Sequence, residues 1–235
     1  MLRNSFFVFI YDCAYKALKE YFIRKYKSEL LESASYSKVC EKIREVEKHR
    51  LVVPFQYNFA DQNVTICKFG CYFLCILFIS FVVKEIKDRI EKCFDKFEVD
   101  LLFKSIASIG GLKDANSYVL DPNLILRSLG INSDLHYLSV HYSPDDYKPE
   151  SCDILIGKYR DIGSGLYHFV IVDNDLKSVI WDSLGSSKAV SDGELESLRV
   201  FKIVDRSLVS DIRDRLALYR EQFNSSKKNN LESLR

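Results

Sequence analysis

The chain has 235 residues, 47% apolar and 29% charged, with 34 basic and 33 acidic side chains and a net charge of +1. That length suffices for one large domain or two small ones, and a single domain of this size buries roughly 70% of the surface its unfolded chain exposes. A near-zero net charge excludes a whole-molecule field that would draw in nucleic acid. With 9 Gly and 4 Pro the chain is neither collagen-like nor linker-rich, and a 13% aromatic share excludes an intrinsically disordered one.

At the N-terminus the apolar run Phe6 to Ile10 is cut by Asp12. It is too short for a signal peptide and reads as the start of an amphipathic helix. Residues 13 to 50 hold ten Lys/Arg against six Glu, a local charge of +4. Leu18, Phe22 and Tyr26, and then Val39, Ile43 and Val46, recur at helical spacing. Two helices with solvated charged faces, broken around Ser33 to Ser37, make residues 1–50 a helical N-terminal extension.

Leu51 to Tyr57 reads as extended chain bent at Pro54. A loop follows, with Val64 to Ile66 as a short strand. Phe69 to Val83, FGCYFLCILFISFVV, is the most apolar stretch. Fifteen residues of helix reach about 22 Å, short of the roughly 30 Å hydrocarbon core of a bilayer. The length predicts a central helix buried on all sides, running on into KEIKDRIEKCFDKF. Gly110-Gly111 is a break, and Asp121-Pro122 supplies the cap and first position of a helix ending at Gly130.

Beyond Gly130 the period changes. LHYLSVHY, with His136 and His141 near its two ends as surface residues, is strand-like. Asp153 to Ile156, Tyr167 to Val172, Ser178 to Trp181 and Phe201 to Val204 are further strands. Leu208 to Phe223 is a final amphipathic helix and residues 224–235 a polar, disordered tail. Helices first and an antiparallel sheet after them predict an α+β domain over residues 51–223.

The seven cysteines are Cys13, Cys40, Cys67, Cys71, Cys75, Cys93 and Cys152. An odd number in a chain of this size does not read as a disulfide scaffold. Cys67, Cys71 and Cys75 are spaced by four with no His nearby, which does not fit zinc-ligand spacing. No metal and no cofactor are expected, and most of these thiols read as small buried hydrophobes in a reducing, cytoplasmic setting.

The stretch Gly165 to Ser187 carries the chemistry. His168 starts one strand and Asp182 ends the next, joined by a turn rich in Asp and Asn. A loop over residues 173 to 177 would set Val172 opposite Ser178. His168 then lies directly across from Asp182, on the face of Val170, Val172 and Ile180, with Cβ atoms about 5 Å apart. A one-residue slip would separate them. Cys71 follows Gly70 at the opening of the central helix. The partial positive charge and free N–H groups there favour a thiolate and can hold an oxyanion. Gln56, upstream, adds a side-chain amide donor. Cys67, five residues after Gln62, is the alternative nucleophile; it sits in strand-like VTICK, and the helix terminus favours Cys71.

Gln56, Thr65-Ile66 ahead of Gly70-Cys71, His168-Phe169-Val170-Ile171-Val172 and Asp182 together resemble the papain-like cysteine peptidase superfamily, most of all its bacteriocin-processing-peptidase-like branch. The resemblance touches about residues 52 to 185. It implies a papain-like fold in which Cys71 is the nucleophile, His168 the general base, Asp182 the orienting carboxylate and Gln56 the oxyanion donor. Tyr72 and Phe73 depart from the small residues usual after that cysteine and are expected to crowd the cleft. HFVIVDNDLKSVIWDSLG is also similar to the signature of ubiquitin-like-protein proteases, but there Gln and Cys follow the Asp, and no cysteine follows Cys152.

Three readings result. The first is a cysteine peptidase or amidase acting on a peptide or protein substrate. The second is the same fold with an inactive site, binding a peptide or protein. The third is a structural protein whose Phe69 to Val83 segment contacts lipid. The first two involve neither nucleic acid nor a membrane, and the oligomeric state is left open.

Overall fold

The computed structural model describes residues 53–88 and 94–232. The expected N-terminal extension and its two helices lie outside the described residues. The described chain is α+β. Pro54 and Phe55 lead, extended, into a 3-10 turn at Gln56–Phe59. Helix α1 (Val64–Phe69) and helix α2 (Cys71–Asp88) follow, then α3 (Lys96–Ser108). A small hairpin, β1 (Leu112–Lys113) and β2 (Tyr118–Val119), precedes α4 (Pro122–Ser128). The remainder is β3 (Leu135–His141), β4 (Asp153–Arg160), β5 (Tyr167–Val172), β6 (Val179–Asp182), the short α5 (Lys188–Ser191), β7 (Glu194–Ile203) and α6 (Val209–Glu232).

The five long strands form one antiparallel sheet in the order β3-β7-β4-β5-β6. Strand alternation splits their side chains between two cores. Ile154, Ile156, Ile171, Phe201 and Ile203 join the larger core with α2, whereas Leu155, Val170, Val172, Leu198 and Val200 join a smaller one closed by Ala189 of α5. Helix α2 is apolar on every side and buried from Phe73 to Val83. Each fully buried Leu, Ile or Phe there contributes about 1.5–3 kcal/mol of transfer free energy. Phe78 stacks on Trp181 of β6 at 4.8 Å and meets Tyr219 of α6 edge-on at 5.3 Å. Among the described residues no helix is long and apolar enough to cross a membrane.

Several local expectations are corrected. Val64 to Ile66 is helical, not a strand. Asn63 Oδ1 accepts from the Ile66 N–H at 3.0 Å, and this cap outweighs the strand preference of Val-Thr-Ile. The central helix runs into KEIKDRIEKCFDKF and is described as far as Asp88; residues 89–93 lie outside the described residues, and the end of that stretch belongs to a separate helix, opened at Lys96 by a capping box between Asp95 and Glu98. Strands β4 and β7 are longer than expected, and β7 carries a bulge at Glu196. Helix α6 continues to Glu232, so the expected disordered tail from Asn224 is mostly helix; that stretch holds no Gly or Pro to break it.

Candidate active site

Gly70 separates α1 from α2. Its N–H donates to Ile66 O, and a Cβ added there would lie 2.5 Å from that same oxygen, so the two helices close up only around glycine. The first amide engaged inside α2 is that of Leu74, which donates to Gly70 O at 2.9 Å. Cys71 therefore sits on the first turn, where amide N–H groups are not used by the helix.

The hairpin β5–β6 delivers His168 and Asp182. Its register differs from the expected one. Val170, not His168, is opposite Asp182, and Ile171 is opposite Trp181. Two departures combine. The turn is closed by Asp173 N–H donating to Ser178 O, and a bulge between Ile171 and Val172 inserts Ile180. Each shifts the pairing by one residue, so their sum is two and the face is preserved. His168 and Asp182 are diagonal neighbours on one face, within reach of each other's side chains. Ile180, at the bulge, joins the larger core and not the Val170 and Val172 face.

His168 Nε2 and Asp182 Oδ1 are 2.7 Å apart. The same carboxylate oxygen accepts from the Leu184 N–H at 2.8 Å, which fixes its orientation. Burial of the ring opposes its charge; the hydrogen bond to Asp182, then the hydrogen bonding and charge of Cys71, outweigh it and lift His168 to about 9. The imidazole therefore holds its second proton at neutral pH. With Nε2 committed to Asp182, Nδ1 is the nitrogen left to exchange a proton with Cys71.

Gln56 opens the 3-10 turn beside the end of β6. Its N–H donates to Ser183 O at 2.8 Å, and its Oε1 accepts from Ser183 Oγ at 3.1 Å. The amide oxygen being engaged, the Nε2 donors are the ones free to meet a ligand. Ser183 is the residue that the sequence reading passed over; its place between Asp182 and Leu184, in a turn beside the carboxylate, was the available signal. The four nominated side chains are all nearly enclosed: Cys71 is 8% exposed, His168 5%, Asp182 1% and Gln56 3%.

Neighbouring residues divide by role. Phe73 does not crowd the cleft: it is fully buried and meets Phe103 edge-on at 5.4 Å. Tyr72 lies flat on Phe169, with ring centroids 4.7 Å apart. Cys75, one turn after Cys71, donates to Phe169 O at 3.4 Å; burial, with the charges of Cys71 and Asp182, pushes its thiol well above the usual range. Cys67 is on α1, half-buried, and so is not on a strand. Outside this site, Glu150, Cys152 and Asp153 bring three potential metal-ligand atoms within 4.8 Å of one another. Lys202 already supplies a cation there, 3.1 Å from Glu150.

None of the curated proteins and none of the solved structures compared matches the chain. A family model described as "Protein of unknown function, DUF261" matches residues 55–203, more than half of the chain and the stretch that holds all four nominated residues. The chain belongs to that family.

Proposed function

We propose that the protein is a cysteine peptidase or amidase of papain-like fold, with Cys71, His168, Asp182 and Gln56 as its working residues. The observation that carries this reading is the junction of a helix N-terminus with the β5–β6 hairpin. There His168 is held by Asp182 at 2.7 Å on one side and flanked by Cys71 on the other. Such a constellation is defined by geometry and role, not by position along the chain.

In the forward step Cys71 Sγ attacks the carbonyl carbon of a peptide or amide bond and its charge passes to the carbonyl oxygen. The first-turn amides of α2 and Gln56 Nε2 are the donors this reading assigns to that oxyanion. The His168 imidazolium gives its proton to the departing amine, the C–N bond breaks, and an acyl-thioester remains on Cys71. Water, losing a proton to the now neutral His168, then attacks the thioester. The carboxylic acid leaves and the thiolate–imidazolium pair is restored. Asp182 keeps the ring oriented throughout.

The test is incubation with a proteome-derived peptide library, with products identified by mass spectrometry. Cleavages present for the wild type and absent for Cys71→Ala support the proposal. Identical products from both, together with Cys71 alkylation no faster than that of Cys75, overturn it. The enclosure of Cys71, at 8% exposed, favours one second reading: the same cleft binding a peptide without cutting it. That reading predicts retained, saturable peptide binding with no product.

A further inference from the structure

The sheet face that packs on α2 changes character at the first turn of the helix. Along β4, Ile156 lies between Arg199 of β7 and Ile171 of β5. Two residues on, Lys158 lies between Ser197 and Phe169. The apolar floor thus gives way to a shelf carrying two cations. Lys158 is compensated, being ion-paired with Glu196. Arg199 differs: among the described residues it makes no ion pair, and its one hydrogen bond is from Nη1 to Ser197 Oγ at 2.8 Å.

Arg199 reaches Tyr72, the residue that follows Cys71. Its guanidinium carbon is 5.4 Å from the centroid of the Phe169 ring, the ring on which Tyr72 stacks at 4.7 Å. Tyr72 is the residue after Cys71, and its hydroxyl is buried with no hydrogen-bond partner among the described residues. Arg199 is close enough for its charge to act on that hydroxyl. A half-buried guanidinium with most of its five donors unused, next to an unused O–H donor, matches the oxygens of a carboxylate. It matches no neutral amide as well, because a cation left without an anion in a partly desolvated site is unfavourable.

We propose that Arg199, with the Tyr72 hydroxyl, forms a carboxylate subsite beside Cys71, so that the preferred substrate bears a carboxylate next to the bond attacked. This rests on the reading of Cys71 as the nucleophile. Two sources share the chemistry: an acidic side chain and a free C-terminal carboxylate.

Iodoacetate and iodoacetamide test the subsite without knowledge of the substrate. Both react when Sγ forms a bond to the methylene carbon and iodide leaves; they differ only in carboxylate against amide. Alkylation rates are measured residue by residue by mass spectrometry on the full chain. The expected result is that the iodoacetate-to-iodoacetamide rate ratio at Cys71 falls about tenfold in Arg199→Gln and is largely restored in Arg199→Lys. A ratio unchanged in Arg199→Gln, with Cys71 still alkylated much faster than Cys75, overturns the subsite and leaves the nucleophile standing. Cys71 alkylated by both reagents no faster than Cys75 overturns the nucleophile and the subsite with it.

A second arm uses the wild type alone, so it stands whatever the folding of the variants. N-acetylglutamic acid α-amide and N-acetylalanine, at millimolar concentration, are tested for protection of Cys71 against iodoacetamide. Protection by the first assigns an acidic side chain, protection by the second a terminal carboxylate, and protection by neither overturns the proposal.

Discussion

The first and second turns of α2 carry the same side chain in opposite circumstances. Cys71 stands on the first turn, against His168, with helix amides unused around it. Cys75 stands one turn deeper, fully buried, its S–H donated to a backbone carbonyl and its ionisation suppressed by burial and by the charges of Cys71 and Asp182. Four residues of helix separate a candidate nucleophile from a packing residue. Residue type therefore says little about a cysteine. The backbone dipole, the nearest cation and the depth say nearly everything.

The largest break in this comparison comes from Cys71→Ala. Turnover is expected to fall by about a thousandfold or more, as for loss of a catalytic nucleophile, with an unchanged far-UV spectrum. Cys75→Ala is expected to keep both the turnover and the alkylation rate of Cys71 near wild type. If the two variants lose activity equally, the distinction between the turns is gone. The middle of α2 should respond in the opposite sense. Leu77 is fully buried, and Leu77→Ala should cost about 2–5 kcal/mol in denaturant unfolding. Its remaining folded molecules should label at Cys71 at the wild-type rate.

A smaller effect sharpens the comparison through pH. His168 holds its proton up to about 9 in the folded protein, against 6.5 for the free side chain. Between those values the folded state binds a proton that the unfolded chain has released, so stability falls as pH rises. The contribution is complete below about pH 6.5 and gone above about pH 9, and its size is about 3 kcal/mol. Unfolding free energies of the wild type and His168→Gln, measured from pH 6 to pH 9.5, should therefore converge at the alkaline end. Parallel curves would show that the imidazolium is not what the fold stabilises.

How much of this was legible follows the physics of each segment. The buried central helix and the helix at Asp121-Pro122 were readable, because apolar length and a capped proline are local signals. The four nominated residues were readable as types at element ends. Their register was not. The β5–β6 pairing depends on a turn and a bulge, and two shifts of one residue kept His168 and Asp182 on one face by cancelling in parity. Strand β7 was seen only at its end, since a bulge near Glu196 interrupts its alternation. Helix α3 was missed although Asp95 and Glu98 spell a capping box, because both sit within a charge-dense run. Arg199 had no sequence signal at all: it matters only through its neighbours across the sheet.

The finest test concerns how Gln56 is held. Its backbone N–H to Ser183 O and its Oε1 from Ser183 Oγ are separate ties, and Ser183→Ala removes only the second. The segment should stay docked, at a cost of about 1 kcal/mol or less, while the Nε2 donor loses its fixed aim. On the proposed role of Gln56 as oxyanion donor, which acts only as charge develops, kcat should fall by about three- to tenfold with KM nearly constant. Gln56→Ala should cost about a hundredfold. In Gln56→Ala/Ser183→Ala the serine change should then add nothing, since the group it aims is absent. A double variant worse than Gln56→Ala by the full Ser183→Ala factor would mean that Ser183 acts through the β6 turn and Asp182 instead, moving its role from the oxyanion to the histidine.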